Sequence, residues 1–277
     1  MTLTESITDS LDRGDELDET WREAGAAWGH AAADWAYLFE PYARDAADAV
    51  FDQLRVNGDT HLFDMACGAG AATARAARLG ARVVGLDASE ALIDIARRRT
   101  PHGIFDIGSM FNLPYRGECF DIVTSFNGIW GGCDDAVGEA ARVLRPGGHI
   151  ALTFWGPADK LDYRDMFITL GSTASSTKDA MIDMASIGTP GVAEAMLTGS
   201  GFDVLTRGET DAIHEFPDAG TMWRALRSPG LMKPALDRLG DGALRRLLMP
   251  TLAPLQAADG SYRVRNALTH VIARKPG

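Results

Sequence analysis

From Thr60 onward the chain alternates short apolar runs with longer stretches in which apolar residues recur every three to four positions. The runs Thr60–Ala66, Ala81–Asp87, His102–Ile107, Phe120–Phe126 and His149–Trp155 are rich in Val, Ile, Leu and Phe, a pattern that predicts buried strands. Between them, Ala69–Leu79, Ser89–Arg99 and Asp134–Leu144 carry the helical period. Gly80 stops the first helix, Ser89 is placed to cap the second, and Pro146-Gly147-Gly148 turns the chain into the fifth strand. Strands alternating with helices of this length predict an α/β fold, a mostly parallel doubly wound sheet covered on both faces.

Two flanks leave this rhythm. Residues 18–54 read as helical and hold Trp21, Trp28, Trp35, Tyr37, Phe39, Tyr42 and Phe51, with Pro41 set to break or restart the helix because it lacks a backbone donor. Trp28 and Trp35, seven residues apart, share a helix face. Beyond Trp155, residues 157–188 and 218–255 read as helical insertions, the first interrupted by the Ser/Thr-rich stretch Ser172–Lys178. Thr189 caps a helix running to Gly201, with Pro190 at its first position. Phe202–Phe216 and Tyr262–Arg274 are long extended segments, which predicts a hairpin-like addition at one sheet edge. The expected division is an acidic flexible tail (1–17), an N-terminal helical cap (18–57), and a ligand-binding domain (58–277) carrying the two insertions.

Charge narrows the partners. The 277 residues carry a net charge of −11, and seven acids against Arg13 give the first twenty residues −6, so the remainder is only mildly acidic. That balance disfavours a nucleic-acid partner, because a phosphate backbone attracts Lys and Arg. No apolar run approaches the ~18 residues that cross a bilayer, and the acidic start lacks the basic region of a signal peptide. Cys67, Cys119 and Cys133 are odd in number and lack the spacing of metal ligands. They read as free thiols in a reducing cytoplasm, with no metal expected.

The informative segment is Asp64-Met65-Ala66-Cys67-Gly68-Ala69-Gly70, between the first strand and its helix. Glycines there let backbone approach a ligand, and the helix that follows aims unpaired N–H groups into the same crevice. Asp87 ends the second strand, where a carboxylate accepts both hydroxyls of a ribose. A dinucleotide fingerprint requires a third glycine where Thr73 stands, and diphosphate sits badly beside Asp64. S-adenosylmethionine offers an amino group, a carboxylate and a ribose without phosphate.

At these positions the chain resembles the class I S-adenosylmethionine-dependent methyltransferases. FDMACGAG is similar to the family's first motif, with Ala66 at its usual first glycine; Asp87-Ala88-Ser89 is similar to the acid and small-residue turn after strand two. Gly108-Ser109-Met110-Phe111-Asn112-Leu113-Pro114-Tyr115 resembles the family's Gly–acid–x–x–x–Leu–Pro–Phe segment with Ser109 in place of the acid, so the acid's adenine contact falls to the Ser109 hydroxyl, to Asp106 or to neither. FDIV at 120–123 and RVLRPGG at 142–148 resemble its fourth strand and the turn before its fifth. The resemblance implies a Rossmann-like sheet of seven strands with an antiparallel edge strand plus helical cap insertions, and S-adenosylmethionine as cofactor. It implies cofactor contacts from Asp64, Ala66, Gly68, Gly70, Asp87, Ala88, Ser109 and Met110, and closure of the pocket by N-terminal helices; Asn127, at the end of strand four where open α/β sheets collect ligands, is a further candidate contact to cofactor or substrate.

The implied reaction is methyl transfer to a small, partly apolar acceptor at an O, N or C nucleophile. Trp28, Trp35, Trp130, Trp155 and Trp223 are candidate walls. His214 and His30 are the candidate bases, the other histidines falling in strands or a turn. The run Arg97-Arg98-Arg99 reads as a solvated helix end. A nicotinamide-dependent oxidoreductase and a non-methylating S-adenosylmethionine-binding protein are the competing readings, and a homodimer stays open.

Overall fold

The computed structural model describes residues 20–277, so the acidic tail expected over 1–17 lies outside the described residues. Seven strands form one sheet: β1 (His61–Met65), β2 (Arg82–Asp87), β3 (Ile104–Ile107), β4 (Phe120–Phe126), β5 (Leu144–Trp155), β6 (Asp203–Phe216) and β7 (Tyr262–Arg274), in the order β3-β2-β1-β4-β5-β7-β6. The pairings from β3 through to β5 are parallel, while β7 runs antiparallel to both β5 and β6. The antiparallel strand therefore sits at the edge where the two long extended segments lead, one place in from the outermost strand.

Neighbouring residues of each strand serve opposite layers, as the two-residue period requires. Leu62, Val83 and Ile122 pack under α2 (Arg44–Gln53) and α3 (Ala71–Arg78), whereas Phe63, Val84 and Val123 pack under α5 (Asp134–Val143) and α8 (Val192–Gly199). Between them in the chain lies α4 (Glu90–Arg99), capped by the Ser89 hydroxyl, which accepts from the Leu92 N–H at 3.4 Å.

Three local readings change. Arg145-Pro146-Gly147-Gly148 does not precede β5 but bulges within it, the register against β4 jumping between Leu144 and His149. The helix expected from Thr189 begins only at Val192, because Gly191 takes φ +92°; the Glu194 carboxylate then accepts the Gly191 N–H at 3.0 Å. The aromatic N-terminal stretch is not continuous. Helix α1 (Thr20–Gly29) ends at a turn, and the chain resumes as a wide π-turn over Trp35–Phe39 and a tighter 3₁₀ turn over Glu40–Ala43 that contains Pro41.

A second core forms beyond the carboxyl ends of the strands. Phe39 and Tyr42 meet Met166 and Leu170 of α6 (Arg164–Gly171), Met181 and Met184 of α7 (Ser175–Ser186), Trp223 of α9 (Ala219–Leu226), and Leu244, Leu248 and Leu252 of α11 (Asp241–Leu252), which follows α10 (Lys233–Leu239). Its floor is the outer part of the β6–β7 ribbon. β7 pairs with β5 only over Leu268–Arg274, whereas β6 and β7 stay paired out to Phe216 and Tyr262. Among the described residues no helix is long and apolar enough to cross a membrane.

Candidate functional site

The first strand ends at Met65 and the chain turns sharply into α3. Ala66, Gly68 and Gly70 all adopt left-handed backbone, with φ of +56°, +58° and +74°. That conformation costs an alanine roughly 1 kcal/mol and a glycine almost nothing. Ala66 at the family's glycine position thus keeps the glycine-type geometry.

The turn is tied to the end of β2. Asp87 accepts the Gly68 N–H on one carboxylate oxygen at 2.9 Å and the Ser89 N–H on the other at 2.8 Å. Burial raises its pKa above the ordinary carboxylate value, with the backbone N–H groups opposing. The carboxylate is held rigid at the point where β1 and β2 open onto a common crevice, the place where open α/β sheets bind ligands.

That crevice is a cavity of about 270 Å3. Ala66, Gly68, Asp87, Ala88, Ser109, Met110 and Asn127 line it together with Trp28, Trp35, Trp130 and Trp155. Trp28 meets Trp35 edge-on at 5.0 Å between ring centroids and lies 6.4 Å from Trp130. Helix α1 seats directly on the turn after β2: a Cβ on Gly25 would lie 2.1 Å from the Ala88 carbonyl oxygen.

Five expected residues are placed elsewhere. Gly70 does not face the cavity; a Cβ there would lie 2.8 Å from Cβ of Ala96, so this glycine lets α3 pack on α4. Asp64 is 1% exposed and is not among the residues lining this cavity; it accepts the Thr73 hydroxyl at 2.6 Å and the Thr124 hydroxyl at 2.8 Å. Desolvation pushes its pKa up to about 6 against those hydrogen bonds. Thr73, the residue in place of a third glycine, is therefore the partner of the motif's acid.

Trp223 points into the second core, its indole N–H donating to Asp241 at 3.1 Å. His214 is buried, with Nε2 2.9 Å from the Phe39 carbonyl and Nδ1 3.0 Å from the Tyr163 hydroxyl. The carbonyl can only accept, so Nε2 carries the proton and Nδ1 accepts from Tyr163. Desolvation lowers the pKa to about 4. Both nitrogens are engaged away from the cavity, and His214 braces the cap. His30 is likewise committed, with Nδ1 2.7 Å from the Ala27 carbonyl and Nε2 3.0 Å from that of Arg227, joining α1 to the end of α9. Neither histidine is positioned as a base.

Asp106 accepts from the Tyr115 hydroxyl at 2.9 Å and does not line the cavity; Ser109 does. Arg99 is not a solvated end. Its guanidinium donates to Glu40 and to the main-chain carbonyls of Ala69 (2.8 Å) and Ala36 (2.5 Å), strapping the N-terminal segment to the glycine turn. Sequence reasoning missed Glu40 altogether, and also Trp21, Phe39, Tyr42, Met166 and Met184 as lining residues. The aromatics were visible as a cluster; a lone acid before Pro41 carries no signal of its own.

A family profile described as a methyltransferase domain matches residues 63–152. Over 207 residues the chain is 30% identical to a malonyl-[acyl-carrier protein] O-methyltransferase of Dechloromonas aromatica, covering 73% of this chain and 71% of that protein. The chain belongs to the class I S-adenosylmethionine-dependent methyltransferases. A demethylmenaquinone methyltransferase of Beutenbergia cavernae is 31% identical to this chain over 142 residues, 48% of this chain and 59% of that one. The chain spans little more than half the length of some curated relatives it matches. Among solved structures, a Bacillus halodurans protein described as a candidate methyltransferase superposes with a TM-score of 0.57 at 19% identity, over 83% of this chain and 99% of that one. This last likeness is one of fold.

Proposed function

We propose that the protein binds S-adenosylmethionine in the strand-end cavity and transfers its methyl group to an apolar small molecule that arrives already ionised. The donor set suits that cofactor. Asp87 is fixed where ribose hydroxyls can donate to it, and Ala88, Ser109 and Met110 form a small apolar and hydroxyl-bearing wall for a purine. Two buried donors that line the cavity, Trp35 Nε1 and Asn127 Nδ2, have no hydrogen-bond partner, and a ligand bearing acceptor oxygens satisfies them.

When bound, S-adenosylmethionine supplies a methyl group activated by its positive sulfur. What remains for the chain is to position the acceptor and exclude water, which can contribute on the order of 7–11 kcal/mol. Trp28, Trp130, Trp155, Phe39 and Met166 offer flat, stiff walls for this.

The observation that carries the acceptor class is the chemistry of the lining. Among the described residues it contains no His, Lys, Arg or Glu, and its ionisable members are Asp87, Tyr42 and Cys133. Asp87 is held by two N–H groups, and burial raises Tyr42 and Cys133 above their ordinary values. Tyr42 and Cys133 therefore keep their own protons near neutral pH, and both oxygens of Asp87 are already engaged by N–H donors. An acceptor with its own acidity, such as a carboxylate or an acidic enol or phenol, needs no such base. The relatives named for malonyl-carrier and demethylmenaquinone methylation are compatible with that class. The three free thiols fit a cytoplasmic enzyme, and the acidic charge fits a small-molecule partner rather than nucleic acid.

The test is turnover to S-adenosylhomocysteine over matched apolar carboxylic acids, phenols and amines as pH varies. With S-adenosylmethionine saturating at every pH, rates should follow the ionisation of each acceptor and be flat between pH 6 and 8 for a carboxylic acid. A rise through pH 6–8 with a fully ionised carboxylate would reveal a protein base and overturn the reading.

A further inference from the structure

The N-terminal segment does more than wall the acceptor region, because it brings a carboxylate onto the glycine turn. Glu40 is 8% exposed and sits at the start of α3, where its Oε1 lies 3.4 Å from the Ala71 N–H. Its other oxygen pairs with Arg99, the strap described above. Desolvation still pushes the pKa up to about 7 against Arg99, so the buried charge is incompletely compensated.

The face of Gly68 is bracketed by two unlike groups. A Cβ at Gly68 would stand 3.2 Å from Glu40 Oε1 and 3.4 Å from Trp35 Nε1. The first is an acceptor with negative charge; the second is the buried N–H that has no partner. A second cavity of about 320 Å3 opens at this point, lined by Glu40, Asp64, Arg75 and Arg99, and it shares Trp35, Tyr42, Ala66, Gly68 and Phe126 with the first. The space beside Gly68 thus joins the two cavities, with an anion on one side and an unsatisfied donor on the other.

Resting on the cofactor reading above, we infer that Glu40 and the Trp35 indole N–H form the seat for the α-amino-acid end of the cofactor. The ammonium is received by the Glu40 carboxylate, and the α-carboxylate accepts from Trp35 Nε1. The fit is one of chemistry: a zwitterion carries a donor cation and an acceptor anion on one carbon, and the turn presents their complements across one glycine. Charge-assisted hydrogen bonds are the strong ones in such a dry setting. Both groups come from the π-turn and 3₁₀ turn of the N-terminal segment, so cofactor recognition and ordering of the cap become one event. The seat reads the part that distinguishes S-adenosylhomocysteine from 5′-methylthioadenosine, which shares the nucleoside and sulfur but lacks the amino acid.

Calorimetry with those two ligands tests the assignment. Glu40→Gln should weaken S-adenosylhomocysteine at least tenfold and shift 5′-methylthioadenosine less than twofold. Trp35→Phe, which keeps a ring and removes the N–H, should cost S-adenosylhomocysteine about fivefold with the same selectivity. Equal losses for both ligands, or none, would overturn the seat, the former marking Glu40 as structural. A measurement on the unaltered protein guards against a variant that folds poorly: the Trp35 indole N–H resonance should move downfield with S-adenosylhomocysteine and stay in place with 5′-methylthioadenosine. If the unaltered protein binds neither ligand, the cofactor reading itself falls. If it binds S-adenosylhomocysteine without moving that resonance, only the seat falls.

Discussion

The two halves of the crevice are built on different principles. On the β1–β2 side, polar positions are set by main chain: Gly68 and Ser89 donate to Asp87, and each residue follows directly from a strand end. Elsewhere in the crevice the walls are aromatic and Met side chains drawn from the N-terminal segment, the loop after β4, α6, α7 and the stretch before α10. A ligand region made of backbone turns tolerates little change, because each atom is already spoken for. A region made of side chains from several elements can be repacked at modest cost while its volume is kept. On the proposed reading, the contrast teaches that the ribose end of the cofactor meets a rigid frame, whereas the acceptor and the amino-acid end meet side chains that can be adjusted.

The hardest blow to that contrast is Gly68→Val. A branched residue at φ +58°, with its Cβ against Glu40 and Trp35, should abolish S-adenosylhomocysteine binding, at least a hundredfold by calorimetry, while far-UV circular dichroism stays that of the folded protein. Normal binding would show that the rigid half is not rigid. Next, Asp87→Ala removes an acceptor for two turn N–H groups and any ribose hydroxyls. Each hydrogen bond to charge is worth about 1.5–3 kcal/mol, so affinity should fall at least tenfold.

His214→Phe probes the other half. It breaks the Tyr163–His214–Phe39 chain, so thermal stability should drop by roughly 1–3 kcal/mol while kcat stays within about fivefold. A thousandfold loss of kcat in a well-folded variant would restore the histidine as a base.

A pH comparison sharpens the picture further. Asp64 has a folded pKa near 6 against an ordinary 3.8, so the folded state holds its proton more tightly than the unfolded state. Its contribution is full below about pH 4 and is lost as pH rises through 6, up to about 3 kcal/mol. Glu40 has the same sign up to about pH 7, and His214, depressed to about 4, has the opposite one. Subtracting the stability profile of Asp64→Asn from that of the unaltered protein isolates the first effect. A difference flat from pH 4 to 7 would mean that Asp64 is not desolvated. The smallest expected change is Trp223→Phe, which removes a hydrogen bond to Asp241 outside the cavity and should leave turnover within twofold.

The same division decides what could be read from the chain. Strands β4 and β7 fall where the apolar runs begin and end, and Asp87, Gly68 and Ala88 follow because motif spacing and strand ends fix them. Helix α8 starts late because a left-handed Gly191 outweighs the Thr189-Pro190 start signal. Nothing in one dimension shows that Gly70 packs against Ala96 or that Asp64 accepts from Thr73 and Thr124. His214 and Trp223 could not be placed because their partners lie 51 and 18 residues away. Glu40 was invisible for the same reason, its partner Arg99 being 59 residues distant.

The overhanging β6–β7 ribbon has a consequence for how such a chain can diversify. Helices α9, α10 and α11 are inserted between Phe216 and Tyr262, which are themselves register partners at the ribbon's tip. The two ends of the insert are therefore clamped together whatever lies between them, and lengthening a closed loop costs only about 0.6 kcal/mol per doubling. Segments of different length and composition could be exchanged at this clamp without moving the pairing of β5 with β7, and so without disturbing Asp87 or the glycine turn. The ribbon acts as a joint that lets one sheet accept interchangeable helical inserts.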